Sequence, residues 1–301
     1  MISVIIPTLN AEKHISHLLT QLYSQSIKPD EILIIDSSSD DKTVAIAESC
    51  GIKVITIDRK DFDHGGTRNL SAKEAKGDII VYLTQDALPV NEYSIENLIR
   101  PFSDDEMIGV SYGRQLPRSA AEAIEAHARL FNYPETSCIK TFSDAPRLGI
   151  KSAFISNSFA AYRRSALIEV GGFPSNTIMN EDTFVAAKIL LKGWKIAYCA
   201  DACVYHSHNY SPLEEFRRYF DIGVFHASEP WIRQSFGQAE GEGKHYILSE
   251  IKYLWNEDFK LIPSAIFRNV LKYIGYKLGL IENKIPRSVK RYLSMNKHYW
   301  A

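Results

Sequence analysis

Asp86 closes the run IIVYLTQDALP, in which β-branched and large apolar residues give way to polar ones and a proline turn. A carboxylate just beyond a buried strand suits a hard divalent cation, which takes oxygen ligands and neutralises the phosphate oxygens it meets. As a turn former, the same aspartate needs no ligand. His206 and His208, in VYHSHNYS, stand two residues apart, so on an extended chain they face the same way. Either completes a metal site with Asp86 or meets a diphosphate directly; a pair of surface histidines at a strand end is the plain alternative. Arg68 lies in FDHGGTRN, at the start of a helix-like segment, with Asp63 and His64 on the same floor. Paired glycines admit a close backbone approach, a helix N-terminus favours an anion, and a guanidinium forks onto phosphate. An ion pair with a neighbouring acid would use Arg68 equally well.

Five further residues, at three places in the chain, have the right chemistry for a nucleoside and an attacking hydroxyl. Asp36 follows four apolar residues and precedes three serines, so its carboxylate can accept the imide N–H of uracil or thymine or bond a ribose. Thr8 and Asn10, at the end of the first apolar run, either join it or simply form the turn. Glu181 and Asp182 open the helix-like run NEDTFVAAKILLKGW. Acids in a first helical turn are stabilised by the macrodipole in any case. The functional reading makes one of them the general base that takes a proton from the hydroxyl.

The elements that must position these residues alternate. Strand-like runs at 2–6, 31–35, 52–57 and 78–83 are separated by helix-like runs near 11–24, 41–50 and 67–76, and Ile15, Leu18, Leu19 and Leu22 recur at helical spacing. Such alternation predicts right-handed crossovers and a mostly parallel α/β sheet flanked by helices, with ligands at the carboxyl ends of its strands. Beyond Pro89 the pattern predicts a helix near 92–100, a strand near 107–113, a helix near 119–131, a polar loop over 133–150 and a helix from about Asn180. It then predicts two strands, near 195–199 and 202–206, and helices from Ser211 onward with Phe216, Tyr219 and Phe220 on one side. The division expected is a catalytic unit over 1–210 and a helical C-terminal region over 211–301.

Length and composition fit one α/β domain with an appendage: 301 residues, 45% hydrophobic and 24% charged. The net charge of -1 conceals a basic tail, since residues 260–301 hold nine Lys or Arg against the single acid Glu282. Cys50, Cys138, Cys199 and Cys203 form no CxxC pair or zinc spacing and read as reduced thiols, as in the cytoplasm. No apolar stretch reaches the roughly 20 residues of a membrane span, and no secretory leader is expected. The first strand is followed by PTLNAE, without the glycines of a dinucleotide-binding turn, which argues against a nicotinamide oxidoreductase.

The ordered set PTLN, IIDSSSDDKT, TRN with AKGDIIVYLTQDA, GGF, NED and VYHSH resembles the family-2 glycosyltransferases of GT-A fold over residues 1 to about 210. FDHGGTRN, TQDALP, ISNSFAAYRR and HSHNYS are similar to its bacterial rhamnosyltransferase branch. The resemblance implies an inverting transferase that uses dTDP-L-rhamnose, with nucleoside contacts at Thr8 and Asp36. It implies metal or diphosphate binding at Asp86 and His206 and the catalytic base at Asp182, beside Glu181. The family's DxD signature here reads Thr84-Gln85-Asp86, with its first acid missing; Gln85 takes the middle, donor-facing position. A site with fewer carboxylates holds metal more weakly, so dependence on Mg2+ or Mn2+ is an open expectation. Asn157 and Trp231 are candidate sugar contacts, although residues of each type more often pack or cap. The acceptor expected is a polysaccharide or lipid-linked oligosaccharide. Transfer from a UDP-hexose, or a catalytically inert carbohydrate-binding protein of the same fold, are the alternatives.

In the tail, Phe267, Val270, Leu271, Ile274 and Leu278 recur at three- and four-residue steps, flanked by Arg268, Lys272 and Lys277. Such a helix either lies on the anionic inner face of a membrane or packs back with a solvated basic face. No nucleic-acid-binding motif accompanies these cations, and no nucleic-acid partner is expected.

Overall fold

The computed structural model describes residues 1–237 and 240–300. Its first stretch follows the expected alternation: β1 (Ile2–Thr8), α1 (Glu12–Tyr23), β2 (Glu31–Asp36), α2 (Thr43–Ser49), β3 (Lys53–Thr56), α3 (His64–Glu74) and β4 (Ile79–Leu83). The chain continues through β5 (Leu88–Pro89), α4 (Ser94–Ile99), α5 (Pro101–Asp104), β6 (Ile108–Leu116), α6 (Ala123–Asn132), β7 (Cys138–Lys140) and α7 (Ala145–Leu148). It then forms β8 (Phe159–Arg163), α8 (Arg164–Glu169), α9 (Glu181–Leu191) and β9 (Lys195–Tyr205). Five helices follow: α10 (Pro212–Ser228), α11 (Pro230–Phe236), α12 (Glu240–Glu257), α13 (Ile262–Leu280) and α14 (Arg287–Leu293).

One sheet runs in the order β3-β2-β1-β4-β8-β6-β9-β5, with β7 also on β9. Strand sense decides which side chains meet. β1, β2, β3 and β4 are parallel; β8 is antiparallel to both β4 and β6, and β9 is parallel to β6. Two reversals restore the original sense. The carboxyl ends of β1, β2, β4, β6 and β9 therefore emerge along one edge, where the amino end of β8 also lies. In register, Thr8 pairs with Asp36, the last residues of β1 and β2.

Each face of the sheet carries its own apolar layer. On one, Ile15, Leu18, Leu19 and Leu22 of α1 cover Val4, Ile6, Ile34 and Val81, as the helical spacing predicts. On the other, Ile5, Leu33, Ile80 and Tyr82 meet Val185 and Ile189 of α9, and also Phe220, Val224 and Phe225 of α10 and Ile232 and Phe236 of α11. Helices beyond residue 210 thus share one core with the sheet.

Three local expectations differ. The strands expected at 195–199 and 202–206 are one strand, β9, whose register against β6 breaks between Gly113 and Arg114; the extra residues are taken up as an irregularity within the ladder. The polar loop 133–150 contains β7 and α7, short elements without a periodic signature of their own. In α13 the basic flank is not solvated. Arg268 and Lys272 turn inward to Glu215 of α10, at 3.3 and 3.1 Å, and the apolar Phe267, Val270, Tyr273 and Ile274 face outward.

Candidate active site

Asp86, His206 and His208 come together at that common edge. Asp86 Oδ2 lies 3.5 Å from His206 Nε2 and 3.4 Å from His208 Nε2, and the two Nε2 atoms are 3.1 Å apart. Neighbouring ligands on a cation with bonds of about 2.1 Å, set at right angles, lie about 3 Å apart, so this spacing fits a small divalent ion. Burial alone would raise the Asp86 carboxyl, but the adjoining imidazoles, His206 first and then His208, hold it well below the usual carboxylate range while no cation lies between them. Burial, and then His206, push His208 down to about 4, favouring the neutral imidazole a metal requires. Arg118 donates to the Asp86 carbonyl and fixes the turn. An open groove of about 620 Å³ runs beside Asp86, walled by Lys13, His14, His17, Gln85, Arg118 and Tyr205.

The second group is built on the start of α9. Asn180, in the left-handed region at φ 60°, turns the chain so that Glu181 enters the interior and Asp182 stays half-buried beside it. Glu181 pairs with Arg68 at 3.0 Å, both side chains only 8% exposed. Asn157, from the loop before β8, joins the two acids: its Nδ2 donates to Glu181 (3.1 Å) and its backbone N–H to Asp182 (3.3 Å), while Tyr162 donates to its Oδ1 (2.6 Å). Burial and the adjacent Glu181 charge raise Asp182 to about 6. Glu181, despite burial, is lowered by Arg68 and stays ionised. Two acids one residue apart are thus driven in opposite directions, which marks Asp182 as the one able to accept and release a proton near neutrality.

The third group closes the amino-terminal loops. Thr8 and Ser39 donate to Asp36 Oδ1 at 2.8 and 2.6 Å, and the Ser39 N–H donates to Oδ2 at 2.8 Å. Asp36 is fully buried and braces the loop after β2. Asn10, at φ 51°, accepts from the Asp40 N–H (2.9 Å) and donates its own N–H to Ser39 (2.8 Å). Gln85 clamps Leu9 with both ends of its amide, accepting from the N–H at 2.8 Å and donating to the carbonyl at 3.1 Å.

The candidate residues therefore divide by role. Asp86, His206, His208 and Asp182 present reactive or ligating atoms, whereas Asp36, Asn10, Gln85, Asn157 and Arg68 are engaged in holding loops. A buried guanidinium must be paired, and Glu181 is the acid that meets it. Asp63 caps α3 by accepting from the Gly66 N–H, so its own carboxylate occupies that helix start. Gly65 admits a close approach, but of the Pro174 carbonyl: a Cβ there would stand 1.8 Å from that oxygen. His64 begins α3, lowered mainly by burial, and its carbonyl accepts from Arg68 at 2.9 Å. Trp231 donates to Glu229 (2.7 Å) and packs edge-on against Phe184 of α9.

Sequence reasoning missed three residues. Gln115 contacts His206, and Arg118 holds Asp86. Arg218 of α10 lies over the Tyr210 ring, which in turn lies against His208; its charge is felt at both His64 and His208. A polar Gln near the end of the strand run IGVSYGRQL was the available signal for the first. Nothing in the local pattern distinguishes Arg118 or Arg218.

A profile of the family described as Glycosyl transferase family 2 matches residues 3–171. The chain is 49% identical over 301 residues to the O-antigen chain rhamnosyltransferase RfbN of Salmonella typhimurium, covering 99% of this chain and 96% of that protein. It is 46% identical over 300 residues to the O-antigen chain rhamnosyltransferase WbaN of Salmonella anatum, covering 99% and 95%. Among solved structures, the mannosyltransferase PcManGT of Pyrobaculum calidifontis, in complex with GDP-Man and Mn2+, superposes with a TM-score of 0.60 at 18% identity, covering 99% of this chain and 84% of that one. Residues 1–349 of TarS from S. aureus superpose with a TM-score of 0.55 at 19% identity, covering 94% and 91%. These two likenesses establish the GT-A fold.

Proposed function

Because the chain belongs to glycosyl transferase family 2, we propose that it moves L-rhamnose from dTDP-L-rhamnose, with inversion, onto a growing O-antigen-type polysaccharide or its lipid-linked precursor. That it is a glycosyltransferase follows from the family and from near full-length likeness to two rhamnosyltransferases. The observation that carries the mechanism is the opposite drive on Glu181 and Asp182 at the sheet edge that also holds Asp86, His206 and His208.

Asp182 takes the proton of the acceptor hydroxyl as that oxygen forms a bond to the anomeric carbon and the bond to the diphosphate breaks. Glu181, held ionised by Arg68 and bonded by Asn157, keeps the Asp182 pKa raised, while the Asn157 N–H aims the Asp182 carboxylate. Asp86, His206 and His208 would hold a divalent cation, which when bound offsets negative charge on the departing diphosphate. Arg218, over the Tyr210 ring beside His208 and with no ion pair among the described residues, is a side-chain cation available for the same charge. Stabilising the leaving group supplies the largest part of the rate. Thr8, Asp36, Asn10 and Gln85 shape the loops that receive the nucleoside. Two imidazoles beside one carboxylate favour Mn2+ over Mg2+, and the Pyrobaculum mannosyltransferase of the same fold holds Mn2+.

No helix among the described residues is long and apolar enough to cross a membrane. The outward stripe Phe267, Val270, Tyr273 and Ile274 on α13, within a basic tail, supports peripheral contact with an anionic bilayer on the cytoplasmic side.

The donor is tested by supplying the purified protein and Mn2+ with dTDP-L-rhamnose, UDP-glucose, UDP-galactose and UDP-GlcNAc in turn and measuring release of the nucleoside diphosphate. The expected result is turnover with dTDP-L-rhamnose at least about a hundredfold above the others. Preferential turnover of a UDP-hexose would replace the donor. Absence of turnover and of nucleotide binding with every donor would favour an inert binding protein.

A further inference from the structure

We infer that Gln115 is a positioning residue for the cation site: its Oε1 holds His206 as the Nδ1–H tautomer and so turns an Nε2 lone pair toward Asp86 and His208. The inference rests on the cation reading of that cluster but not on which sugar is transferred.

The orientation of the Gln115 amide is fixed by its other partners. Arg129 Nη1 lies 2.9 Å from Gln115 Oε1, and a guanidinium only donates, so the atom it meets is the amide oxygen. Gln115 Nε2 then donates to Ser156 Oγ at 2.9 Å. The same Oε1 lies 2.9 Å from His206 Nδ1. An oxygen with no hydrogen can only accept, so Nδ1 carries the proton. In a neutral imidazole the other nitrogen, Nε2, is left with its lone pair. That atom is the one 3.1 Å from His208 Nε2 and 3.5 Å from Asp86 Oδ2.

The support continues outward. Arg129 is itself held by Glu125 at 2.8 Å, and Glu125 accepts the His208 backbone N–H at 3.4 Å. One carboxylate of α6 therefore anchors the positioning of one histidine and the backbone of the other. On the opposite side Ser156 precedes Asn157, whose N–H reaches Asp182. Gln115, 1% exposed at the end of β6, joins the wall of the cation site to the wall of the base. Its amide contacts are all polar, to Ser156, Arg129 and His206.

The test uses the full chain without any sugar donor, so that it reads the cation site alone. Mn2+ binding is followed by electron paramagnetic resonance of the free ion in wild type, Gln115→Met and Gln115→Glu, with folding checked by circular dichroism. Gln115→Met removes the acceptor at similar volume and is expected to weaken Mn2+ binding roughly 10- to 100-fold. Gln115→Glu keeps an acceptor for Nδ1–H and is expected to bind Mn2+ at least as tightly as wild type. In transfer assays the Met variant should regain most of its kcat at saturating Mn2+, placing its defect in the metal dependence. A folded Met variant with wild-type Mn2+ affinity overturns the assignment. So does a folded Glu variant that binds as weakly as a His206→Ala control; this arm decides alone if the Met variant does not fold. Failure of wild type itself to bind Mn2+ would instead remove the cation reading on which the inference rests.

Discussion

Asp182 differs from its neighbour by one position and by which way its carboxylate titrates. Burial and the Glu181 charge raise it to about 6, whereas Arg68 keeps Glu181 ionised. A base is active only when deprotonated, so kcat/KM should fall as pH drops through about 6 and level off above it. The pair titrates as a unit, and the limb reports its macroscopic value. Asp182→Asn should lower kcat about 10²- to 10⁴-fold while nucleotide binding, followed by thermal shift, is retained. An acidic limb near pH 4 in wild type, or an Asn variant with normal turnover, would contradict the role. At this scale the sequence shows residue types but not partners. The meeting of Asp86 with His206 was legible because both close strand-like runs, and the place of Asp182 because it opens a helix-like one. The engagement of Asp36 by Thr8 and Ser39, and of Arg68 by Glu181, was not, since each bond joins residues of separate elements or an unpredictable turn.

Strands and helices were legible wherever hydrophobic periodicity decides them, as in β1 through β4 and α1. Local pattern does not say which face of a helix turns inward when small residues compete with large ones. In α13 the outcome follows backbone contact: Gly275 and Gly279 meet the Phe216 and Phe220 carbonyls of α10, and Gly223 of α10 meets the Tyr276 carbonyl. A Cβ at Gly279 would stand 2.1 Å from the Phe220 oxygen. Buried Glu215 then draws Arg268 and Lys272 to the same face. Gly279→Ala should accordingly lower Tm although alanine is the better helix former: overpacking costs about 1–3 kcal/mol against a gain of about 1 kcal/mol. A raised Tm would show that the two helices have room to separate.

For the whole molecule, two reversals of strand sense bring distant segments to one sheet edge, and α10 and α11 complete the core beneath it. The same packing leaves Phe267 and Tyr273 outward on α13, 57% and 62% exposed. The full chain should cosediment with vesicles containing phosphatidylglycerol more than with neutral phosphatidylcholine vesicles. Phe267→Ser with Tyr273→Ser should weaken that binding at least about tenfold, since burying each side chain contributes about 1.5 kcal/mol or more. Equal binding by the double variant would leave that face without a membrane role. The shared edge itself is tested most directly by the crystal structure of Asp182→Asn with dTDP-L-rhamnose and Mn2+. The account predicts the ion on Asp86 and His206, the diphosphate against it, and the anomeric carbon facing residue 182. A donor bound with its sugar turned away from residue 182, or an ion held elsewhere, would contradict it.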